Sequence, residues 1–151
     1  MGFGESAAHI IFFIAIVLVA SSVSAVMAVT IQKITIEISK QGEHLKDVIS
    51  TDFEVINDPV AIPTKTVNGN TAYVFYVKNV GTGSFLFSNE TLTIMIDGSV
   101  IPKSNIYTSP IGSLKHGEVG EIDVVTTLSS GDHKLRIFLD NGISDSFEFT
   151  I

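Results

Sequence analysis

"TAYVFYVKNV", residues 71 to 80, decides the fold. In an extended chain successive side chains point to opposite faces, so Tyr73, Phe75 and Val77 share one face while Val74, Tyr76 and Lys78 share the other. The stretch is rich in β-branched and aromatic residues, which fit a pleated, half-buried surface. The same character recurs outward from it. "TDFEVIND" (51 to 58), "TLTIMID" (91 to 97), "GEIDVVTTL" (120 to 128), "HKLRIFLDN" (133 to 141) and "SDSFEFTI" (144 to 151) all read as strands. Turn chemistry separates them at "NGN" (68 to 70), "DGS" (97 to 99), "SGD" (130 to 132) and "DNGIS" (140 to 144). Pro59, Pro63, Pro102 and Pro110 fall between the runs, where a missing N–H costs no ladder hydrogen bond. Six or seven short strands with no helical pattern between them predict an antiparallel β-sandwich of immunoglobulin-like type over residues 51–151. Two packed sheets, unlike a lone stack of hairpins, can bury Phe53, Phe75, Leu92, Ile94, Ile137, Leu139, Phe147 and Phe149.

Upstream the pattern is different. "AHIIFFIAIVLVASSVSAVMAV", residues 8 to 29, contains no Asp, Glu, Lys or Arg. As a helix, Ile10 to Ile31 would extend about 33 Å, enough for a bilayer's ~30 Å hydrocarbon core. It is apolar all round through Leu18, which a surface helix of a soluble domain is not. A secretory signal is the other reading, because small residues follow in "SSVSA" (21 to 25). That reading wants a basic region ahead of a shorter apolar core, and "MGFGES" carries no Lys or Arg. Residues 1–31 are therefore expected to form a retained transmembrane anchor.

Apolar residues then continue at heptad spacing through Ser24, Met27, Ile31, Ile34, Ile38, Gln41, Leu45 and Val48. One long helix from about Glu5 to Ile49 is expected, with residues 32–50 as a helical stalk. Its candidate packing stripe is Ile31, Ile34, Ile38, Leu45 and Val48, which fits packing on its own domain and packing on a partner helix equally well. Ile34, Ile36 and Ile38 also alternate as a strand would, and Gly42 weakens the helix.

The chemistry carried by the chain is sparse. With 151 residues there is room for one ordinary domain after the anchor. The absence of Cys excludes disulfides, thiolate metal sites and cysteine nucleophiles. A net charge of −7 with scattered acids argues against a nucleic-acid partner. His9, His44, His116 and His133 have no metal-ligand spacing and read as solvated surface residues. Asp140, Asn141 and Asp145 faintly resemble a calcium loop but carry hairpin turn chemistry. No nucleophile elbow and no phosphate loop occurs, so no catalytic, cofactor or metal residue is assigned. Asn89 of "NET" is a candidate glycosylation acceptor. Phe85, Leu86 and Phe87, beside the Gly81–Gly83 turn, form a candidate interface in which strand alternation must bury at least one.

The hydrophobic N-terminus "IIFFIAIVLVASSVSAVMA", the stalk, and then "TDFEVINDP" with "YVFYVKNVG" resemble the archaeal FlaG/FlaF family of archaellum accessory proteins, and its FlaG branch more closely. The resemblance covers most of the chain. It implies an anchor that stays in the membrane and an immunoglobulin-like domain outside, between membrane and surface layer. It implies a non-enzymatic stator component of the motility apparatus that associates with itself and with a FlaF-like partner, and through that partner with the surface layer. Lys33, Lys40 and Lys46 follow the anchor with nothing basic before it, so the positive-inside rule alone would put the domain in the cytoplasm. Two other classes fit the same elements. One is a type IV pilin-like or archaellin-like filament subunit, which would be expected to carry a basic leader. The other is a tethered extracellular sensor or binding domain.

Overall fold

The computed structural model describes residues 3–151. The first two residues of the expected anchor, Met1 and Gly2, lie outside the described residues. Helix α1 spans Phe3–Ser50, 48 residues and more than twice the ~20 a bilayer requires. It is long and apolar enough to cross a membrane. Its hydroxyls do not compromise that capacity. Ser21, Ser24, Thr30 and Thr35 each donate to the carbonyl four residues back, at 2.7–2.9 Å, and Ser22 donates to Val19. Each polar group is thereby satisfied within its own helix, as hydrocarbon demands. The alternation of Ile34, Ile36 and Ile38 does not make a strand; helical continuity prevails across Gly42 as well.

The chain divides after His44 into two compact units, and the last turn and a half of α1 belongs to the second. That unit is β-rich. Its strands are β1 (Phe53–Val55), β2 (Thr64–Val67), β3 (Asn70–Asn79), β4 (Phe85–Phe87), β5 (Leu92–Ile96), β6 (Ser99–Val100), β7 (Ile106–Ser109), β8 (Gly112–Leu114), β9 (Val119–Val125), β10 (Asp132–Leu139) and β11 (Ser144–Thr150). A short 3-10 turn, Lys103–Asn105, precedes β7. All pairings are antiparallel. One sheet runs β1-β3-β9-β7 with β2 also on β3, a second runs β11-β10-β5-β6, and β4 and β8 form a two-stranded ribbon. The expected count of six or seven strands becomes eleven. Asn68 and Gly69 both take positive φ and close the β2–β3 hairpin, and Asp97 and Gly98 do the same for β5–β6. These are the Asn-Gly and Asp-Gly sequences that such two-residue turns favour.

The inward faces of the three sheets share a single core. Seven of the eight large residues expected inside are buried, and Phe147 is half-buried, stacked on Phe149. Phe75 of the first sheet meets Phe149 of the second edge-on at 5.3 Å, and Phe53 meets Phe85 of the ribbon at 6.0 Å. The side of β3 facing away from this core is not wholly open to water, however. Ala72 and Val74 are buried there too. Lys65 of β2 reaches across β3 to Glu121 and Asp123 of β9, with its ammonium 2.6 and 2.5 Å from their carboxylates. Only a side chain lying over β3 can span β2 to β9, and small Ala72 leaves room for its stem. The Asp123 and Glu121 carboxylates raise the Lys65 pKa above the ordinary lysine value, which keeps the brace charged.

A candidate assembly surface and the collar around the helix end

The three residues of the candidate interface separate by strand parity. Phe85 and Phe87 are buried in the core, while Leu86 points outward and is 54 % exposed. The register places Leu86 opposite exposed Ser113 of β8, and Ile111 just before β8 is more exposed still. Phe87 lies against Gly120, where a Cβ would stand 2.5 Å from its ring; the glycine makes the seat for the phenylalanine. The ribbon carries no charged residue in either strand. The Leu86 carbonyl accepts a hydrogen bond from Thr91 at 2.8 Å, while its apolar side chain is left exposed.

Thr91 belongs to the glycosylation triplet, and its hydroxyl also contacts both the amide and the carbonyl of Ser88. Asn89 sits half-buried in that turn. On α1, Ile31, Ile34, Ile38 and Leu45 of the candidate stripe are all more than half exposed, and Val48 is half-buried.

The strongest constellation of polar contacts lies where α1 gives way to the sheet, and the sequence reading passed over it. Asn79, the last residue of β3, is fully buried. Its amide nitrogen donates to the carbonyls of Gly83 and Leu114, both at 2.9 Å, and its Oδ1 accepts from the Gly81 amide at 2.9 Å. Its backbone is equally committed, donating to Glu118 and accepting from Gly117. One side chain thus fastens the 80–84 and 114–118 loops to each other. The 80–84 loop holds the helix end: Gly83 donates to the Ser50 carbonyl at 2.9 Å, and Val80 and Gly81 both donate to the Asp52 carbonyl just beyond it. His116 Nδ1 carries its proton toward the Gly81 carbonyl at 2.6 Å. A Cβ on Gly81 would come within 2.4 Å of the Ser50 carbonyl and the Asp52 amide, so only glycine permits this approach. The helix's last carbonyl, that of Ser50, therefore finds a loop partner instead of remaining orphaned.

One other expectation is corrected here. His133 is not a solvated surface histidine; it lies within β10, only 9 % exposed, with both ring nitrogens engaged, whereas His116 is exposed. Of the residues that faintly resemble a calcium loop, Asp145 and Asn141 are spent on internal ties, Asp145 accepting from the Val55 amide of β1 at 3.0 Å and Asn141 from Ile143, while Asp140 is exposed. Among the described residues no three His, Asp or Glu gather in a way that could hold a metal ion.

A helix long and apolar enough to cross a membrane thus leads into a β-rich domain. The family model for archaeal-type flagellin matches residues 2–149. The chain is 37 % identical over 139 residues to "Putative flagella-related protein G" of Methanocaldococcus jannaschii, covering 90 % of this chain and 88 % of the relative. It is 28 % identical over 142 residues to the protein of the same description from Methanococcus voltae, covering 92 % of each. Among solved structures, the archaellum periplasmic stator protein FlaG from Sulfolobus acidocaldarius aligns over 66 % of this chain and 99 % of its own, with 21 % identity and a TM-score of 0.47. The chain belongs to the archaeal-type flagellin family, among its flagella-related G proteins.

Proposed function

We propose that this chain is a membrane-anchored structural subunit of the archaellum motor, its β-domain associating with itself and with a FlaF-like partner as part of the stator. The observation that carries this reading is the near end-to-end relationship to the flagella-related G protein of M. jannaschii. Residues 1–31 serve as the anchor, 32–50 as the stalk and 51–151 as the domain. The domain's two larger sheets close as an immunoglobulin-like sandwich. Supporting this are the Phe75–Phe149 contact between sheets and the Asp145 carboxylate that ties β11 to β1 at their shared margin. The domain stands outside the membrane, toward the surface layer, where its acidic, cysteine-free composition is suited to exposure. Association runs through the Leu86 face of the ribbon, with the apolar stripe of the stalk available for lateral packing.

Three measurements test the reading. Because the chain has no Cys, an Asp140→Cys variant carries one labelling site, in an exposed turn. A membrane-impermeant maleimide is expected to label it in intact cells; labelling only after lysis places the domain inside and overturns the location. Leu86→Glu, studied in detergent as the full chain, is expected to weaken association in the ultracentrifuge while circular dichroism stays unchanged, because a charge entering an interface unpaired is costly. Unaltered assembly removes the ribbon from the interface. The match to the archaeal-type flagellin model also favours a second reading, a filament subunit. Recovery of the chain in sheared filaments at subunit stoichiometry, rather than with the membranes, replaces the stator with that reading.

A further inference from the structure

At the start of β10, the His133 ring is held between two acceptors. Nδ1 lies 2.6 Å from the Asp97 carboxylate and Nε2 lies 2.8 Å from the Ser129 carbonyl. A neutral imidazole has one N–H and one bare nitrogen, so it can satisfy only one of these oxygens and must turn a lone pair on the other. The doubly protonated ring satisfies both. We propose that His133, Asp97 and the Ser129 carbonyl form a proton-dependent clasp, closed while the imidazole carries both protons and released when it loses one. The clasp fastens the Asp97–Gly98 turn and the 126–131 loop to the second sheet.

What the clasp holds is defined by the contacts around it. Asp97 adopts positive φ in the turn, and its Oδ1 accepts from the Lys134 amide at 2.8 Å, so one carboxylate both ends the β5–β10 ladder and receives His133. The 126–131 loop also exchanges two hydrogen bonds between Gly131 and Ile151, each 3.0 Å. Phe149 stands opposite His133 in the β10–β11 register, its ring 5.5 Å away, and closes the apolar side. The charged groups facing the imidazole are few. Asp97 comes from the β5–β6 turn, Asp132 and Lys134 flank it on its own strand, and Glu148 lies on β11. Lys134 is neutralised by Glu148 at 2.9 Å, and Asp132 accepts from the Thr150 hydroxyl at 2.7 Å. A groove of about 440 Å³ reaches the ring past Pro59, giving water and protons a route to it.

The electrostatics run the same way. The Asp97 carboxylate first, and the Ser129 carbonyl second, raise the His133 pKa above 6.5, while the His133 hydrogen bond first, and the Lys134 amide second, lower that of Asp97 below 3.8. A raised histidine contributes stability in full below its ordinary pKa and loses it as pH rises through the raised value. A lowered carboxylate contributes above its ordinary pKa and loses it as pH falls through the lowered value. The clasp therefore holds between those limits and opens on the alkaline side.

The inference rests on no part of the stator reading and is tested without a partner. Full-length protein in micelles, with ¹³C-labelled histidine, gives the His133 titration by NMR. It is expected to lie above the ordinary histidine value, and Asp97→Asn is expected to shift it to lower pH. Across the wild-type transition, hydrogen exchange of the 126–131 and 97–98 amides should rise beyond the intrinsic pH dependence, and this extra step should vanish in His133→Gln. A His133 titration no higher than the ordinary histidine value, or exchange in both segments that follows the intrinsic dependence alone, overturns the proposal.

Discussion

Replacing Asn79 by Ala is expected to destabilise the β-domain by on the order of 3 kcal/mol, because it leaves several buried backbone groups without their partner. The Gly83 and Leu114 carbonyls each lose their donor, and the Gly81 amide loses one of its two acceptors, keeping Asp52. The loss falls where the 80–84 and 114–118 loops meet. A midpoint lower by on the order of 15 °C follows for a domain of this size, as read by thermal unfolding of the full chain in detergent. Asn79→Asp separates geometry from polarity. It is nearly isosteric and keeps an acceptor for Gly81, yet it sets a carboxylate against two carbonyls where donors are required. It should cost at least as much as the Ala change, whereas equal stability of Asp and Asn would mean that the amide donors contribute nothing. The consequence is local before it is global. Amides of Gly81 and Gly83, which hold Asp52 and Ser50, should lose exchange protection before those of β9 or β10.

Much of this architecture is legible in the sequence, and parity explains both the successes and the omissions. The helix is set by an apolar run and a heptad stripe that prevail over the strand-like alternation at Ile34, Ile36 and Ile38, and the long strands by strict alternation. β2, β6, β7 and β8 escape because they are two to four residues long and polar or proline-bounded, too short for a periodic signal. Two of them leave an indirect trace: Asn68–Gly69 and Asp97–Gly98 demand a strand on each side, which locates β2 and β6. Asn79 stands at the inward parity of Tyr73, Phe75 and Val77, and His133 at that of Leu135, Ile137 and Leu139. A polar residue at an inward position must be hydrogen-bonded, so the pattern that marks the core also marks the collar and the clasp. What could not be read was the partner of each. Gly83, Leu114, Asp97 and Ser129 are brought to these side chains by turns and by non-adjacent strands, and no spacing in the chain encodes that. The second buried face of β3 was equally out of reach, since it depends on Lys65 crossing from β2 to β9.

Phe87→Ala should be the most damaging change in the ribbon, at about 3–5 kcal/mol, the usual cost of removing a fully buried aromatic ring. The ring is completely enclosed, lies 6.4 Å from that of Phe85, and fills the space that Gly120 leaves by having no side chain. The surroundings cannot close over the gap cheaply, because the Gly120 backbone is paired with Val77 in the β3–β9 ladder and is not free to move inward. Phe87→Leu keeps most of the volume and should recover more than half of the loss. One residue away the same kind of experiment has the opposite outcome. Leu86 is outward, so truncation to Ala should leave the denaturation midpoint nearly unchanged while acting on association alone. Urea unfolding and sedimentation of the two variants in parallel therefore separate fold from assembly within a three-residue strand. If Leu86→Ala lowers the midpoint as far as Phe87→Ala does, the ribbon is core on both faces and carries no docking surface. If Phe87→Ala unfolds the domain while Leu86→Ala only disperses the assembly, then alternation along Phe85–Phe87 has divided the strand between the stability of one subunit and its contact with the next.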